Sequence, residues 1–356
     1  MRKILLLGAG KIGSAMAEML TSTGDYAVTV ADRDAAALEH ISGRNIDRKA
    51  LDVTDVSALE AAMAGYDAAL SALPYYLNVG VAKAARRAKC HYFDLTEDVA
   101  TTRGVKAEAE GAESAFVPQC GLAPGFISIV AADVASKFET LRSVHMRVGA
   151  LPIYPDNALK YNLTWSTDGL VNEYCNPCEA IVEGTPREVM PLEGLEHLSL
   201  DGVDYEAFNT SGGLGTLTET WAGKVEDLNY KTVRYPGHRD LVKFMAQELR
   251  LAGRRDIFKN VLETAIPMTR QDVVLVFVSA TGQQDGRLMQ QTYAKKIYNA
   301  EINGQIWSAI QITTSAGICA MVDLLLDGKL PQRGFVRQED CKFSDFISNR
   351  FGKYYA

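Results

Sequence analysis

Short apolar runs alternate with segments of helical periodicity over the first 125 residues of the chain. In the segment 12–19, for example, Ile12, Ala15, Met16 and Met19 recur at the spacing of one helix face. Strands buried on both faces are continuous apolar runs, and helices between them indicate a parallel sheet. The pattern therefore predicts an α/β fold with a doubly wound parallel sheet. The predicted strands are KILLLGAG, YAVTVADRD, RKALDV, YDAALSALP, CHYFDL and SAFVPQ, and the predicted helices are 12–19, 35–40, 56–64, 78–88 and 105–113.

The pattern changes after Phe126, and the segment 156–223 contains many turn residues and few helical patterns. A second α/β domain with a mixed sheet fits this region. We expect one domain of residues 1–125 and 312–356 and another of residues 126–311. The aromatic tail is expected to pack back onto the body. The elements predicted after Phe126 are a helix at 127–138, a strand at 143–151, a strand–turn–helix unit at 227–249, a strand pair at 272–282 and 287–299, and a long helix that Gly328 ends.

A glycine-rich segment joins the first predicted strand to the first predicted helix. Gly8, Gly10 and Gly13 match the pattern G-x-G-x-x-G, with Lys11 and Ile12 between the last two glycines. Gly8 permits the tight turn, Gly10 lets a pyrophosphate approach the backbone, and Gly13 lets helix and strand pack closely. The helix N-terminus supplies free N–H groups for the phosphates. We therefore expect a Rossmann-type dinucleotide-binding domain.

Further cofactor contacts are expected at the carboxyl ends of neighbouring strands. Asp32 ends the second strand, 19 residues after Gly13, where a carboxylate hydrogen-bonds the ribose hydroxyls and favours NAD. The adjacent Arg33 is suited to a 2′-phosphate, so NADP is the alternative cofactor. We expect Asp52 and Val53 to flank the adenine, and Ala72, Leu73 and Pro74 to lie beside the nicotinamide ribose.

Composition narrows the range of partners and compartments. The net charge of -7 argues against nucleic acid or an anionic membrane as the main partner. The apolar run 4–7 is shorter than the ~7–15 residues of a secretory signal. We also expect no apolar run that approaches the ~20 residues of a membrane helix. Six cysteines fit reduced thiols, so a cytoplasmic protein is expected.

Cys175 and Cys178 form a C-x-x-C pair, which is typical of a redox dithiol or of half a zinc site. The sequence has no second C-x-x-C, and its five histidines are scattered. We therefore expect no metal site.

Nine segments along the chain carry a family resemblance. They are GAGKIG, VADRD, LDVTD, SALPYYLN, HYFDLTED, QCGLAPGF, WSTDGLVNEY, YKTVRYPGH and GFVRQEDCKFSDFISNRFG. Together they resemble the saccharopine dehydrogenase-like family, and most of all its compact lysine 6-dehydrogenase branch. GAGKIG is generic, whereas CGLAPG followed by YKTVRYPGH is far more specific. The matches extend over nearly the whole chain.

The resemblance implies NAD(P)-dependent oxidation at a carbon that bears nitrogen, a substrate-binding second domain, and homodimers formed through that domain. In the lysine 6-dehydrogenase reaction, a hydride leaves the ε-carbon of L-lysine, and water then releases ammonia and a semialdehyde. Saccharopine dehydrogenase and a carboxynorspermidine-type imine reductase are the alternative activities. An NAD(H)-binding sensor without catalysis is the alternative from another class, because fold alone does not prove function.

Such a reaction needs a base near the amine and a cation or N–H cluster for the substrate carboxylate. Asp94 follows the fifth strand at the carboxyl edge of the sheet, and we expect it to contact the amine, with a capping role as the alternative. Arg234 suits the carboxylate, and His238 either binds substrate or caps a helix. Tyr76 is a candidate proton relay. The other candidates are Thr210, Ser211 and Gly212 as polar contacts, and Trp165 and Asp168 as pocket lining.

Cys120 lies in VPQCGLAPGF, between the last strand of the first domain and a helix that begins at Phe126. We expect this segment to cross the carboxyl edge of the sheet, where Cys120 contacts cofactor or substrate as a small polarizable group. The alternative is a thiolate nucleophile, as in semialdehyde dehydrogenases, which also needs a base.

Overall fold

The computed structural model describes residues 1–43 and 45–356, which form two compact units. The first unit is Met1–Phe126 with Gln311–Ala356, and the second is Ile127–Ile310, so each bound lies one residue from the expected one. The strands are β1 (Arg2–Leu7), β2 (Tyr26–Asp32), β3 (Ile46–Ala50), β4 (Ala68–Ser71), β5 (His91–Asp94), β6 (Ala115–Val117), β7 (Thr140–Pro152), β8 (Cys178–Val182), β9 (Thr185–Val189), β10 (Glu196–Leu200), β11 (Val203–Asn209), β12 (Asp227–Arg234), β13 (Asp272–Gln284), β14 (Arg287–Tyr298), β15 (Ala300–Ile302), β16 (Gln305–Trp307) and β17 (Gly334–Phe335). The α-helices are α1 (Lys11–Ser22), α2 (Ala35–Glu39), α3 (Val56–Met63), α4 (Asn78–Ala88), α5 (Val99–Ala109), α6 (Phe126–Ala135), α7 (Thr167–Cys175), α8 (Leu217–Trp221), α9 (His238–Lys243), α10 (Arg255–Ala265), α11 (Ala309–Leu326) and α12 (Phe343–Ser348).

The first unit contains a parallel sheet with strand order β17-β6-β5-β4-β1-β2-β3. β1 lies between β2 and β4, and Leu7 pairs with Ala31 on one side and with Ser71 on the other. The carboxyl ends of these strands therefore meet at one edge, which is where ligands bind in doubly wound sheets. Apolar side chains such as Leu5 and Phe116 are fully buried between sheet and helices. The predicted doubly wound fold is confirmed.

Two elements of this unit begin earlier than the sequence pattern indicated. α5 begins at Val99 rather than at 105, because the Asp98 carboxylate accepts the N–H of Thr101 at 2.7 Å and caps the helix. Gly111, with a φ of 67°, follows the end of α5. β3 also begins before the predicted segment 48–53, and its mostly exposed side chains are typical of an edge strand.

The second unit contains a mixed sheet with strand order β10-β11-β12-β7-β13-β14, and β8 joins β12 to β9. β12 and β7 are parallel, whereas β13 and β14 form the predicted antiparallel pair. β8 to β11, α7 and α8 lie within 156–223, where few elements were expected. β9 and β10 were hard to recognise because β9 is largely exposed and β10 alternates between half-buried and exposed residues.

α11 corrects one expectation about apolar segments. It has 18 residues and is long and apolar enough to cross a membrane by length and composition alone. However, 89% of its residues are buried inside the protein, as is typical of a core helix. As predicted, Gly328 follows its end, with a φ of 74° that favours glycine.

The C-terminal tail packs onto the first unit, as predicted. The ring of Tyr355 stacks on Phe126, with centroids 3.8 Å apart, and its hydroxyl donates to the carbonyl of Thr313 at 2.6 Å. Phe346 and Phe351 are also buried. The tail is therefore part of the core of this unit.

Candidate active site

The glycine-rich turn between β1 and α1 has the geometry that a dinucleotide needs. Gly8 has a φ of 105°, and a Cβ atom at Gly13 would lie 2.0 Å from the Gly8 carbonyl oxygen. By contrast, a Cβ at Gly10 would meet no atom within 4 Å, so the surface there is open. Gly10 is also the N-cap of α1 and offers no side-chain cap. A helix N-terminus that follows a glycine and has no side-chain cap suits a phosphate.

Asp32 connects this turn to the end of β2. One carboxylate oxygen accepts the N–H of Ala9 at 2.7 Å, and the other accepts the N–H of Asp34 at 2.9 Å. A carboxylate has about four acceptor positions, so two remain for ribose hydroxyls. Asp32 therefore orders the turn and still has the capacity expected for cofactor binding.

The other predicted cofactor contacts lie at the same sheet edge. Arg33 is exposed beside Asp32. Hydrogen bonds from the backbone and the hydroxyl of Thr54, with a smaller contribution from Arg33, lower the pKa of Asp52. Lys11 is exposed in the first turn of α1, Ile12 and Val53 are half-buried, and the Ala72–Leu73–Pro74 segment directly follows β4.

Tyr76 lies beyond this segment, with 66% of its surface exposed and its ring edge-on to Tyr75. Its hydroxyl is accessible, and its role as a proton relay stays a prediction. Nearby, the Ser71 hydroxyl donates to Asn78 Oδ1 at 2.7 Å, which fixes the start of α4 against the end of β4.

Asp94 does not have the environment that the expected contact with an amine requires. Its carboxylate is fully buried and accepts the hydroxyl of Tyr92 at 2.7 Å and the N–H groups of Thr96 at 3.0 Å and Gln119 at 2.9 Å. Burial raises the pKa of Asp94, against the lowering effect of these bonds. In this structure the Asp94 carboxylate is bonded to two loops at the sheet edge, so contact with an amine would require a change in this arrangement.

Cys120 is also turned into the core. Its Sγ lies 3.0 Å from the carbonyl oxygen of Val117 and 3.3 Å from the amide nitrogen of Gln338. Burial raises the pKa of the thiol well above its ordinary value. This environment opposes a thiolate and does not fit the expected contact with cofactor or substrate. A Cβ at Gly317 would lie 2.7 Å from the Cys120 carbonyl oxygen, so α11 closely contacts this segment.

Arg234 is the buried cation of the second unit, at the end of β12. Its Nε donates to the hydroxyl of Tyr174 at 3.2 Å, and Nη1 donates to the hydroxyl of Thr232 at 3.1 Å and the carbonyl of Val233 at 2.9 Å. The Tyr161 ring lies 4.8 Å from the guanidinium carbon. Within the part of the chain that the structure describes, Nη2 has no acceptor and no carboxylate forms an ion pair with Arg234.

Glu173 interacts electrostatically with Arg234 and offsets part of the cost of burying its guanidinium, while Nη2 stays available to an anionic ligand. Other buried polar atoms of the second unit also lack a protein partner. Among the described residues they include Asn162 Oδ1, Asn172 Nδ2 and Thr210 Oγ1. Leaving each such atom unsatisfied costs about 1–3 kcal/mol.

The predicted polar segment 210–212 packs against α7. The hydroxyl of Ser211 donates to the carbonyl of Asn172 at 3.2 Å, and its N–H donates to the carbonyl of Glu173 at 3.1 Å. Gly212 has a φ of 87°, which turns the chain after Ser211. The buried Glu173 contributes a carboxylate to this region.

Two other sequence candidates have different surroundings. Asp168 lies in the first turn of α7 and forms an ion pair with Lys259 at 2.6 Å, with both side chains partly exposed. The expected pocket-lining role does not fit this surface position. Trp165 is half-buried and packs against a hydrophobic cluster of the second unit.

The Cys175–Cys178 pair has no feature of a reactive dithiol. Burial raises the pKa of both thiols. In residues 1–43 and 45–356, no group of three or more metal-ligating side chains is present.

Sequence reasoning missed three residues around Arg234: Tyr161, Glu173 and Tyr174. Tyr174 and Glu173 lie on α7, which the pattern did not predict. The sequence did contain one signal for the start of α7, a serine in the N-cap position. Its hydroxyl accepts the N–H of Gly169 at 3.3 Å, and this serine is Ser166.

Comparison with known proteins identifies both parts of the chain. Residues 4–117 match the family model for the saccharopine dehydrogenase NADP binding domain, and residues 121–353 match the one for the saccharopine dehydrogenase C-terminal domain. The chain is 24% identical over 302 residues to a saccharopine dehydrogenase [NADP(+), L-glutamate-forming] of Pyricularia oryzae. The match covers 80% of this chain and 65% of that protein.

Solved structures support the same fold. The apo saccharopine dehydrogenase (L-Glu forming) of Saccharomyces cerevisiae superposes with a TM-score of 0.78 at 19% identity, over 95% of this chain and 94% of that one. A Legionella pneumophila homospermidine synthase in complex with NAD has a TM-score of 0.67 at 14% identity, over 99% and 89%. Since the two family models together cover most of the sequence, the chain belongs to the saccharopine dehydrogenase family.

Proposed function

We propose that this protein is an NAD(P)-dependent oxidoreductase that acts on the carbon–nitrogen bond of a basic amino acid, and that it is an L-lysine 6-dehydrogenase. The observation that carries the proposal is the buried Arg234, whose Nη2 has no acceptor among the described residues. A guanidinium binds a carboxylate well, and every amino acid supplies one. An oxidoreductase of this kind also needs a site for its nicotinamide cofactor, and the glycine-rich turn of the first unit fits that role.

The chemistry assigns distinct tasks to the chain's own residues. Bound NAD supplies the hydride acceptor. The N–H groups at the start of α1 hold its phosphates, and Asp32 accepts the ribose hydroxyls. Arg234 holds the substrate carboxylate and thereby fixes one end of the substrate. Hydride departure requires a neutral amine, and the exposed hydroxyl of Tyr76 is our candidate to relay its proton.

NAD is the proposed cofactor, with NADP as the alternative. The Asp32 carboxylate repels a 2′-phosphate, whereas the neighbouring Arg33 attracts one. Because residues 4–117 match an NADP binding domain, activity should be measured with both NAD and NADP.

Saccharopine is the second candidate substrate, because the relatives are named saccharopine dehydrogenases. The chain spans 65% of the Pyricularia protein's length. Glutamate release from saccharopine would identify this activity. If NAD binds but no basic amino acid, saccharopine or polyamine derivative is oxidised, a sensor role is favoured instead.

Arg234→Gln tests the proposal through the substrate carboxylate. We expect the KM for L-lysine to rise about 100-fold, as for a lost hydrogen bond to a charged group. The KM for 1,5-diaminopentane, which has no carboxylate, should stay within about twofold, because Arg234 has nothing to bind on it. Arg147→Gln is the control, because Arg147 is buried in the same unit but has Glu196 as its own partner. Equal changes for both amines would contradict the assignment.

We also propose a cytoplasmic homodimer that associates through the second unit. Six unpaired cysteines are typical of a reducing compartment. Light scattering at micromolar concentration tests the dimer, and cell fractionation tests the location. A monomer or a secreted protein would contradict them.

A further inference from the structure

Three buried side chains of the second unit form a continuous chain of hydrogen bonds. His238 Nδ1 lies 2.8 Å from the carbonyl oxygen of Leu159, and His238 Nε2 lies 2.9 Å from the hydroxyl of Tyr174. Arg234 Nε lies 3.2 Å from the same hydroxyl. His238, Tyr174 and Arg234 are each at most 2% exposed, so bulk water does not compete for these bonds.

The carbonyl of Leu159 determines the direction of every bond in this chain. A carbonyl oxygen only accepts, so His238 carries its proton on Nδ1, and Nε2 is left with a lone pair. Nε2 therefore accepts the O–H of Tyr174. The phenol oxygen then accepts the N–H of Arg234, which has no lone pair to offer in return.

The imidazole keeps this arrangement over a wide pH range. Burial, and next the charge of Arg234, lower the pKa of His238 to about 3. The ring is also enclosed by aromatic side chains, with Phe208 nearly parallel to it at a centroid distance of 6.3 Å and Tyr161 at 5.3 Å. His238 is thus neutral, held on both ring nitrogens, and unable to move without breaking the chain of bonds.

We propose that His238 is a positioning residue that orients Arg234 through Tyr174 and so fixes the direction of the carboxylate site. The inference rests on the proposed function, in which Arg234 binds the substrate carboxylate. Because both ring nitrogens are engaged within the protein, the expected direct contact of His238 with substrate does not form. With Nε and Nη1 of Arg234 held, the guanidinium plane is fixed, and Nη2 faces its ligand in one orientation.

Tyr174→Phe tests the inference without removing a ring from the core. We expect the KM for L-lysine to rise about tenfold, as for one lost hydrogen bond to a charged group. The kcat with saturating lysine and the KM for 1,5-diaminopentane should both stay within about twofold, because neither depends on the carboxylate. Tyr205→Phe is the matched control, because the ring of this buried tyrosine stacks on Tyr235 rather than on Arg234.

Two substitutions of His238 provide a rescue test. His238→Leu should repeat the effect of Tyr174→Phe. His238→Gln, whose amide oxygen can accept the Tyr174 hydroxyl, should recover at least half of the lost affinity on a logarithmic scale. An unchanged lysine KM in Tyr174→Phe, with a raised one in Arg234→Gln, overturns this inference and leaves the proposed function intact. An unchanged lysine KM in Arg234→Gln overturns both.

Nitrogen NMR of histidine-labelled protein tests the geometry independently of activity. The His238 signals are assigned from their loss in His238→Gln. We expect a protonated Nδ1 and a bare Nε2 from pH 8 to pH 5. Protonation at Nε2 within that range would overturn the inference.

Discussion

Asp32 shows how one side chain serves both the fold and the ligand, since it holds the glycine-rich turn through Ala9 and retains acceptor positions for ribose. We expect Asp32→Ala to raise the Kd of NADH about 10- to 100-fold, because hydrogen bonds to a charged group are lost. The KM for lysine should change less than threefold at saturating NAD. Asp34→Ser is the control, because Asp34 caps α2 through the N–H of Ala36 and serine retains that function. Titration of NADH fluorescence measures the effect, and an unchanged Kd would contradict the cofactor assignment.

Cys120 distinguishes an amine dehydrogenase from an enzyme that uses a cysteine nucleophile. Since its thiol is buried and its pKa is raised, Cys120→Ser should retain at least about a tenth of the wild-type kcat. A nucleophile would lose about 10³-fold or more on the same change. Steady-state NADH formation with lysine measures this, and a loss of that size would revive the thiolate mechanism.

Asp94 and Cys120 also show what sequence could and could not reveal at this scale. Both lie at the carboxyl edge of the sheet, as the strand pattern predicted. The pattern did not show that both side chains turn inward, because that direction depends on partners distant in sequence, such as Gln338. Arg234 was chosen for its chemistry, and its burial and free Nη2 only emerged from the packing around it.

At the scale of elements, the β1–α1 junction allows a paired test. Gly13→Ala would place a Cβ 2.0 Å from the Gly8 carbonyl oxygen and force α1 away from β1. We expect a loss of about 1–3 kcal/mol in the free energy of unfolding and a weaker affinity for NAD. A Cβ at Gly10 would meet no protein atom within 4 Å, so Gly10→Ala should leave the stability nearly unchanged. The added methyl group would lie where the pyrophosphate approaches the backbone, so NAD binding should weaken. Calorimetry with and without NAD measures both, and equal melting temperatures for the two variants would contradict the packing argument.

The elements that sequence missed share a physical reason. The predicted strand–turn–helix unit corresponds to β12 and α9, and its regular apolar spacing made it recognisable in the sequence. α7 is short and its register is set by packing, so the hydroxyl of Tyr174 and the carboxylate of Glu173 were not recognised. Glu173 and Tyr174 therefore lie on an element that tertiary contacts specify, whereas Arg234 and His238 lie on elements that the sequence predicted.

At the scale of the whole molecule, the buried His238 links stability to pH. Burial lowers the pKa of His238 to about 3 in the folded protein, against about 6.5 for an exposed imidazole. The unfolded chain therefore binds a proton that the folded protein does not, and the free energy of unfolding falls as pH falls below 6.5. At pH 5 this loss reaches about 2 kcal/mol.

Asp272 has the opposite effect on the free energy of unfolding as pH falls, because burial raises its pKa to about 6. The comparison of wild type with His238→Gln isolates the histidine, since both proteins retain Asp272. Urea unfolding at pH 7 and pH 5 should show the stability difference between the two proteins shrink by about 2 kcal/mol. A difference that is independent of pH would contradict the neutral, buried imidazole.

In its proposed function, this chain removes a hydride from the ε-carbon of lysine. The most direct measurement follows deuterium from L-lysine into the reduced cofactor, with one substrate labelled at C6 and another at C2. The account predicts deuterated NADH from the C6-labelled substrate alone, together with one ammonia per NADH. Deuterium arriving from C2, or glutamate released from saccharopine while lysine is inert, would contradict it.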